Sequence, residues 1–212
     1  MNRSAIVLAG DFSSPLGQDK GLLDFNNKPL FMHVVDTVKA IVDETIIVAS
    51  SQEQSEKYGK VAGSNVKFAV APAMANDPFM GALSGFELAA GKYSLLLPFD
   101  APFVSKEVIN LLFELCPGRS AVIPRWPDTE IEPLHAVYRT QAAVEAAKLA
   151  LNDGKLSLGD MVDNLGGVRY VSTLVIQELD PELKTFFCIK SPLDLKKALV
   201  MLKPRKSKQH SL

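Results

Sequence analysis

The chain has 212 residues, 47% of them hydrophobic and 22% charged, with a formal net charge of −1. That balance supports one sizeable core and excludes both a disordered chain and one whose overall charge would hold nucleic acid. His33, His135 and His210 share no metal-ligand spacing, and Cys116 and Cys188 stand alone in apolar segments, as free thiols of a reducing compartment do. No apolar run reaches the length of a membrane span and no signal peptide opens the chain, so a cytoplasmic location is expected, with neither membrane nor nucleic acid as partner.

Taken in order, residues 5–9 (Ala-Ile-Val-Leu-Ala) are an unbroken apolar run, which predicts a strand buried on both faces at the centre of a parallel sheet. Gly10 and a stretch of small and turn-forming residues follow, ending at Asp19 and Lys20. The apolar positions from Leu30 to Val42 fall at helical spacing, and 45–49 reads as a second buried strand. Ser51 caps a helix that Gly63 ends, and 66–70 is a third strand. Residues 71–80 show no period and predict a long loop, of the kind that carries function. A helix rich in small residues is expected over 81–90, a fourth strand over 93–98, and a helix capped by Ser105 up to Leu115. The second half reads as strands at 121–124 and 133–138 around an irregular Trp126–Pro127 segment, then helices at 142–151 and 156–165. A strand at 168–173 and a helix at 192–201 complete it. The expected architecture is α/β: one Rossmann-like domain over 1–202, with a doubly wound, mostly parallel sheet and an antiparallel addition in the second half. Residues 203–212 read as a basic, disordered tail.

Two residues suggest chemistry. A loop of small residues after a central parallel strand lies where open α/β sheets bind ligands. Exposed backbone N–H groups with one lysine make a cradle for phosphate, and Lys20 is its candidate cation. The plain alternative is a tight connection, and neither GxGxxG nor GxxxxGK[ST] is present. Asp100 follows the fourth strand, where one carboxylate together with substrate phosphates suffices for Mg²⁺; its plainer role is a turn cap before Pro102. His135, inside an apolar run, reads first as a satisfied packing residue and second as a catalyst. Trp126 reads as a lid or partner contact, and Ser84 lacks the spacing of a nucleophile elbow.

The segments LAGDFSSPLGQDKGLL, GALSG at 81–85, PFDAPFV at 98–104, EPLHAVYR at 132–139 and CIKSPLDL at 188–195 together resemble the molybdenum cofactor guanylyltransferases. The resemblance covers nearly the whole chain and implies transfer of GMP from Mg·GTP to the terminal phosphate of molybdopterin, with release of pyrophosphate. It assigns Leu8, Ala9, Gly10, Lys20, Gly81, Ala82 and Gly85 to the nucleotide, Lys20 and Asp100 to catalysis, and Asp100 to the metal. Lys190, Ser191 and His135 fall on the acceptor side, and contact with molybdoenzyme maturation proteins would suit such a product. A relative using CTP or another phosphorylated acceptor, and a non-catalytic binding member, are the alternatives. The departures are Asp11 for the family's second glycine, Pro15 where an arginine is usual, Cys-Ile-Lys-Ser-Pro at 188–192 where the family reads NxNTP, with Lys190 in place of an asparagine, and no clear match for an acidic residue near Asn76 and Asp77. An aspartate ~4 Å from a phosphate would repel it by about 4 kcal/mol at an effective dielectric of ~20, so Asp11 is expected to point away, to sit near the metal, or to weaken binding.

Overall fold

A computed structural model describes residues 2–10, 19–71 and 78–202. Asp11, Pro15, Asn76, Asp77 and the basic tail therefore lie outside the described residues.

Four strands carry the first half: β1 (Arg3–Leu8), β2 (Glu44–Ala49), β3 (Lys67–Val70) and β4 (Tyr93–Pro98). They are mutually parallel, with β1 between β2 and β4, and β3 outside β2. The second half adds β5 (Ala121–Arg125), β6 (Ala136–Arg139) and β7 (Val168–Ser172). The described strands form one seven-stranded sheet in the order β3-β2-β1-β4-β6-β5-β7. Only β6 runs against its neighbours, so the antiparallel addition is a single strand inserted between β4 and β5. The continuous apolar runs of β1 and β2 have the expected cause, since both strands are covered on both faces.

Alternation along β1 divides the core. Ala5 and Val7 point into the layer that holds helices α1 (Leu30–Lys39), α2 (Gln52–Ala62) and α4 (Lys106–Leu115). Ile6 and Leu8 point into the layer that holds α3 (Pro78–Leu88), α5 (Thr140–Asn152) and α6 (Leu158–Asp163). Ser51 and Ser105 cap α2 and α4, accepting from the N–H groups of Gln54 and Val108. Gly63, at φ 78°, closes α2 in the left-handed region. The chain ends with a short α7 (Thr173–Ile176) and α8 (Pro192–Met201). No helix among the described residues is long and apolar enough to cross a membrane. Both cysteines are free, and burial pushes the Cys116 thiol up to about 11.

Three local expectations change. α3 begins at Pro78 rather than Gly81, because a proline is well placed to open a helix. The expected strand at 133–138 starts only at Ala136; Pro133–His135 is a 3₁₀ turn, closed by His135 N–H donating to the Glu132 carbonyl at 3.1 Å. The strand at 168–173 ends at Ser172, whose hydroxyl caps α7.

Candidate active site

The site lies where the chain changes direction across the sheet. β1 is followed on one side by β2 and β3, and only later by β4 on the other side. The crevice beyond the carboxyl ends of β1 and β4 is therefore the switch point at which such sheets take ligands. The register that pairs Leu8 with Pro98 continues through Phe99 N–H to the Leu8 carbonyl, 3.1 Å, and brings Gly10 and Asp100 to the same rim.

Asp19, Lys20 and Gly21 each have a reason to be where they are. Asp19 caps the 3₁₀ turn Lys20–Leu22 by accepting from Gly21 N–H at 3.0 Å. α2 braces it: Tyr58 donates its hydroxyl to Asp19 Oδ1 at 2.7 Å, and Gln54 Nε2 reaches both Asp19 Oδ2 and the Ala9 carbonyl. Gly21 must lack a side chain, because a Cβ there would stand 1.8 Å from the Tyr58 hydroxyl. Between them Lys20 turns inward, 4% exposed, and donates to Asp100 Oδ2 at 2.7 Å, with its ammonium 5.2 Å from the centre of the Phe99 ring. At an effective dielectric of ~20 that contact is worth about 6 kcal/mol of Coulomb attraction. Desolvating the two charges costs a comparable amount, so the pair constrains geometry more than it stabilises the fold.

Asp100 opens onto a cavity of about 310 Å³ whose polar lining also includes Glu132, His135 and Lys190. The segment carrying Cys188 and Lys190 is tied to the site by Ile189 N–H donating to the Asp100 carbonyl at 2.9 Å. Burial, with the Asp100 charge beside it, pushes the Cys188 thiol up to about 12, so it stays protonated and unreactive. Glu132 is held by Trp126, whose indole N–H donates to Oε1 at 2.7 Å. Burial alone would raise the Glu132 carboxyl, but the neighbouring His135 and Trp126 outweigh it and keep the group below the usual range, hence charged. His135 Nδ1 lies 3.8 Å from Glu132 Oε2, beyond hydrogen-bond distance. The imidazole is 5% exposed, rests edge-on to Phe186 at 5.3 Å, and neither ring nitrogen has a hydrogen-bond partner among the described residues. A packing histidine would have its nitrogens satisfied, and this one does not.

Leu8, Gly10, Asp100, His135 and Lys190 thus border one cavity, and Lys20 is bonded to Asp100. Others of the sequence-predicted set have structural work. Ala9 is buried, its N–H donating to the Val48 carbonyl. Ala82 is in the core, and a Cβ on Gly85 would meet Ile6 Cγ2 at 2.3 Å, so this glycine lets α3 approach β1. Gly81 has ordinary room beside Leu8. Ser191 caps α8, accepting from Asp194 N–H and donating to Asp194 Oδ2. Sequence reasoning passed over Glu132, which stands three residues before His135, and the braces Gln54 and Tyr58. Trp126 donates its indole N–H to Glu132.

Residues 5–165 match the MobA-like NTP transferase domain. This chain belongs to that family. Members of the MobA-like family are nucleotidyltransferases, and this enzyme's curated relatives agree. A protein of Methanosarcina mazei named "Probable molybdenum cofactor guanylyltransferase" is 35% identical over 198 residues, covering 91% of this chain and 88% of its own. One of the same name from Pyrococcus horikoshii is 30% identical, covering 92% of this chain and 98% of its own. The fold is shared with the molybdopterin-guanine dinucleotide biosynthesis protein A of Archaeoglobus fulgidus, at TM-score 0.78 and 24% identity over 93% of this chain and 97% of that one. It is shared too with the 2-C-methyl-D-erythritol 4-phosphate cytidylyltransferase of Thermus thermophilus, at TM-score 0.70 and 18% identity over 95% and 98%.

Proposed function

We propose that this MobA-like nucleotidyltransferase is a cytoplasmic enzyme that transfers GMP from Mg·GTP to the terminal phosphate of molybdopterin. The observation that carries the reading is the buried Lys20–Asp100 pair at the rim of the β1–β4 crevice, in a family whose curated relatives bear the guanylyltransferase name. An oxygen of the acceptor phosphate attacks the α-phosphorus of GTP, the bond from that phosphorus to the α–β bridging oxygen breaks, and pyrophosphate leaves. No proton need move in this exchange, so the demand on the protein is positioning and charge neutralisation. Lys20 supplies a fixed cation for the charge that grows on the departing phosphates. Gly10, with no side chain, leaves backbone open to the nucleotide. Lys190, exposed at the rim, offers a second cation to the acceptor's phosphate.

The donor set suits Mg²⁺. That ion takes one or two carboxylates together with substrate phosphates and water, and Asp100 offers such a carboxylate at the cavity. When bound, the ion shares the triphosphate's charge with Lys20. The test is pyrophosphate release with purified molybdopterin and Mg²⁺, titrating GTP against CTP. Release saturating with GTP, and at least about tenfold slower with CTP at equal concentration, is expected; release with CTP alone would overturn the base assignment.

A further inference from the structure

On one wall of the cavity two groups keep hydrogen-bonding capacity that no described residue uses. His135 is buried with both ring nitrogens unpartnered among the described residues. Glu132 spends one lone pair of Oε1 on the Trp126 indole, which fixes the carboxylate's direction, and Oε2 is 3.8 Å from His135 Nδ1. The 3₁₀ turn sets them side by side, held from below by Tyr138, whose hydroxyl donates to the Pro133 carbonyl at 2.8 Å. Leu134 and Phe186 give the same cavity apolar walls.

A buried hydrogen-bonding group left without a partner is costly, and one at a cavity wall is a place for a ligand. The ligand group is not a phosphate, since a charged carboxylate so close to the imidazole would repel it. A carboxylate beside an imidazole fits a neutral ring with two adjacent N–H donors followed by a carbonyl. The carboxylate takes the two donors and an imidazole N–H donates to the carbonyl. We propose that Glu132 and His135 read the 2-amino-4-oxopyrimidine edge of a substrate heterocycle, an inference that rests on the nucleotidyltransferase reading above. Guanine and pterins both carry that edge. Cytosine and adenine do not: each sets an unprotonated ring nitrogen beside its amino group, and that nitrogen would face the carboxylate.

The test measures dissociation constants for two pairs that differ at the position of the amino group, 6-hydroxymethylpterin against 6-hydroxymethyllumazine (an oxo group in its place) and GTP against ITP (hydrogen in its place), on wild type, Glu132→Gln and His135→Gln. Glu132→Gln keeps an acceptor for Trp126 and the side-chain volume, and thermal melting verifies that each variant is folded. If the pterin is the group read, Glu132→Gln weakens its binding at least about tenfold and removes the preference over the lumazine, with GTP affinity unchanged. If guanine is read, the GTP–ITP pair shows the same loss and the pterin pair does not. His135→Gln weakens the same ligand, with the smaller effect. Wild type that prefers the amino-bearing member of neither pair, or a preference that survives Glu132→Gln, overturns the assignment. Wild-type pyrophosphate release from GTP and molybdopterin is read in parallel. If it persists while the preference is missing, this inference fails alone; if release is missing while the preference holds, the proposed reaction fails and the recognition site stands.

Discussion

The two ends of the sheet carry buried carboxylates in opposite conditions. At the amino end, both oxygens of Glu44 have donors within the protein: Ser4 Oγ and Ala90 N–H donate to Oε2 at 2.6 and 2.9 Å, and Lys67 Nζ to Oε1 at 2.5 Å. Ser4 Oγ in turn accepts from Gly91 N–H at 3.0 Å, and a Cβ on Gly91 would stand 2.5 Å from Ser4 Oγ, so this glycine lets the backbone close on the serine. At the carboxyl end, Asp100 is bonded to Lys20 yet borders a cavity, and Glu132 and His135 beside it keep capacity to spare. A network whose members are all satisfied ties strand ends together. One that stops short at a cavity wall leaves its last bonds for something that enters.

The contrast can be broken from either end. The largest effect is expected from Asp100→Asn, which should lower kcat/KM about 10²–10³-fold and raise the Mg²⁺ concentration needed for half-maximal rate, as activity assays across a magnesium titration would report. Glu44→Gln should do the reverse. It should cost about 1–3 kcal/mol in urea unfolding, with kcat/KM per folded molecule within about twofold of wild type.

Acid titration sharpens the same point. Burial works to raise the Glu44 carboxyl, but the hydrogen bonds from Lys67, Ser4 and Ala90 outweigh it and hold the group below its ordinary value. A carboxyl depressed in the folded state contributes stability above the unfolded-state value, and that contribution is lost as pH falls through the folded value. Urea unfolding from neutral pH down through the carboxyl range should therefore show a shallower acid loss for Glu44→Gln than for wild type. A smaller comparison lies within α3. Gly85→Ala should destabilise by about 1–3 kcal/mol through its collision with Ile6, whereas Gly81→Ala, with ordinary contact distances, should stay within about 0.5 kcal/mol by thermal melting.

Much of this fold could be read in advance, because it rests on local signals. Unbroken apolar runs marked β1, β2 and β4, serine caps marked α2 and α4, and Pro192 marked the start of α8. The antiparallel strand was expected, but its start was misplaced, because a 3₁₀ turn of Pro-Leu-His differs little in pattern from the first residues of a strand. Lys20 and Asp100 could be singled out from their places after strands, while the contact between them is a matter of sheet order across 80 positions. Glu132 was overlooked for the same kind of reason. Nothing in EPLH shows that a tryptophan six residues earlier will orient the carboxylate or that Phe186 will close over the histidine. The small residues over 81–85 admit either a backbone or a ligand, and the sequence does not say which; for Gly85 the structure places a strand there.

The account depends most on the Lys20–Asp100 pair serving phosphate chemistry rather than folding. The direct measurement is pyrophosphate release by Lys20→Ala, per folded molecule, beside its unfolding free energy and those of Glu44→Gln. The account predicts a fall in turnover of about 10²–10³-fold for Lys20→Ala, well beyond its loss of stability, and near-normal turnover for Glu44→Gln. A Lys20→Ala enzyme that loses activity only in proportion to the stability it loses would contradict it.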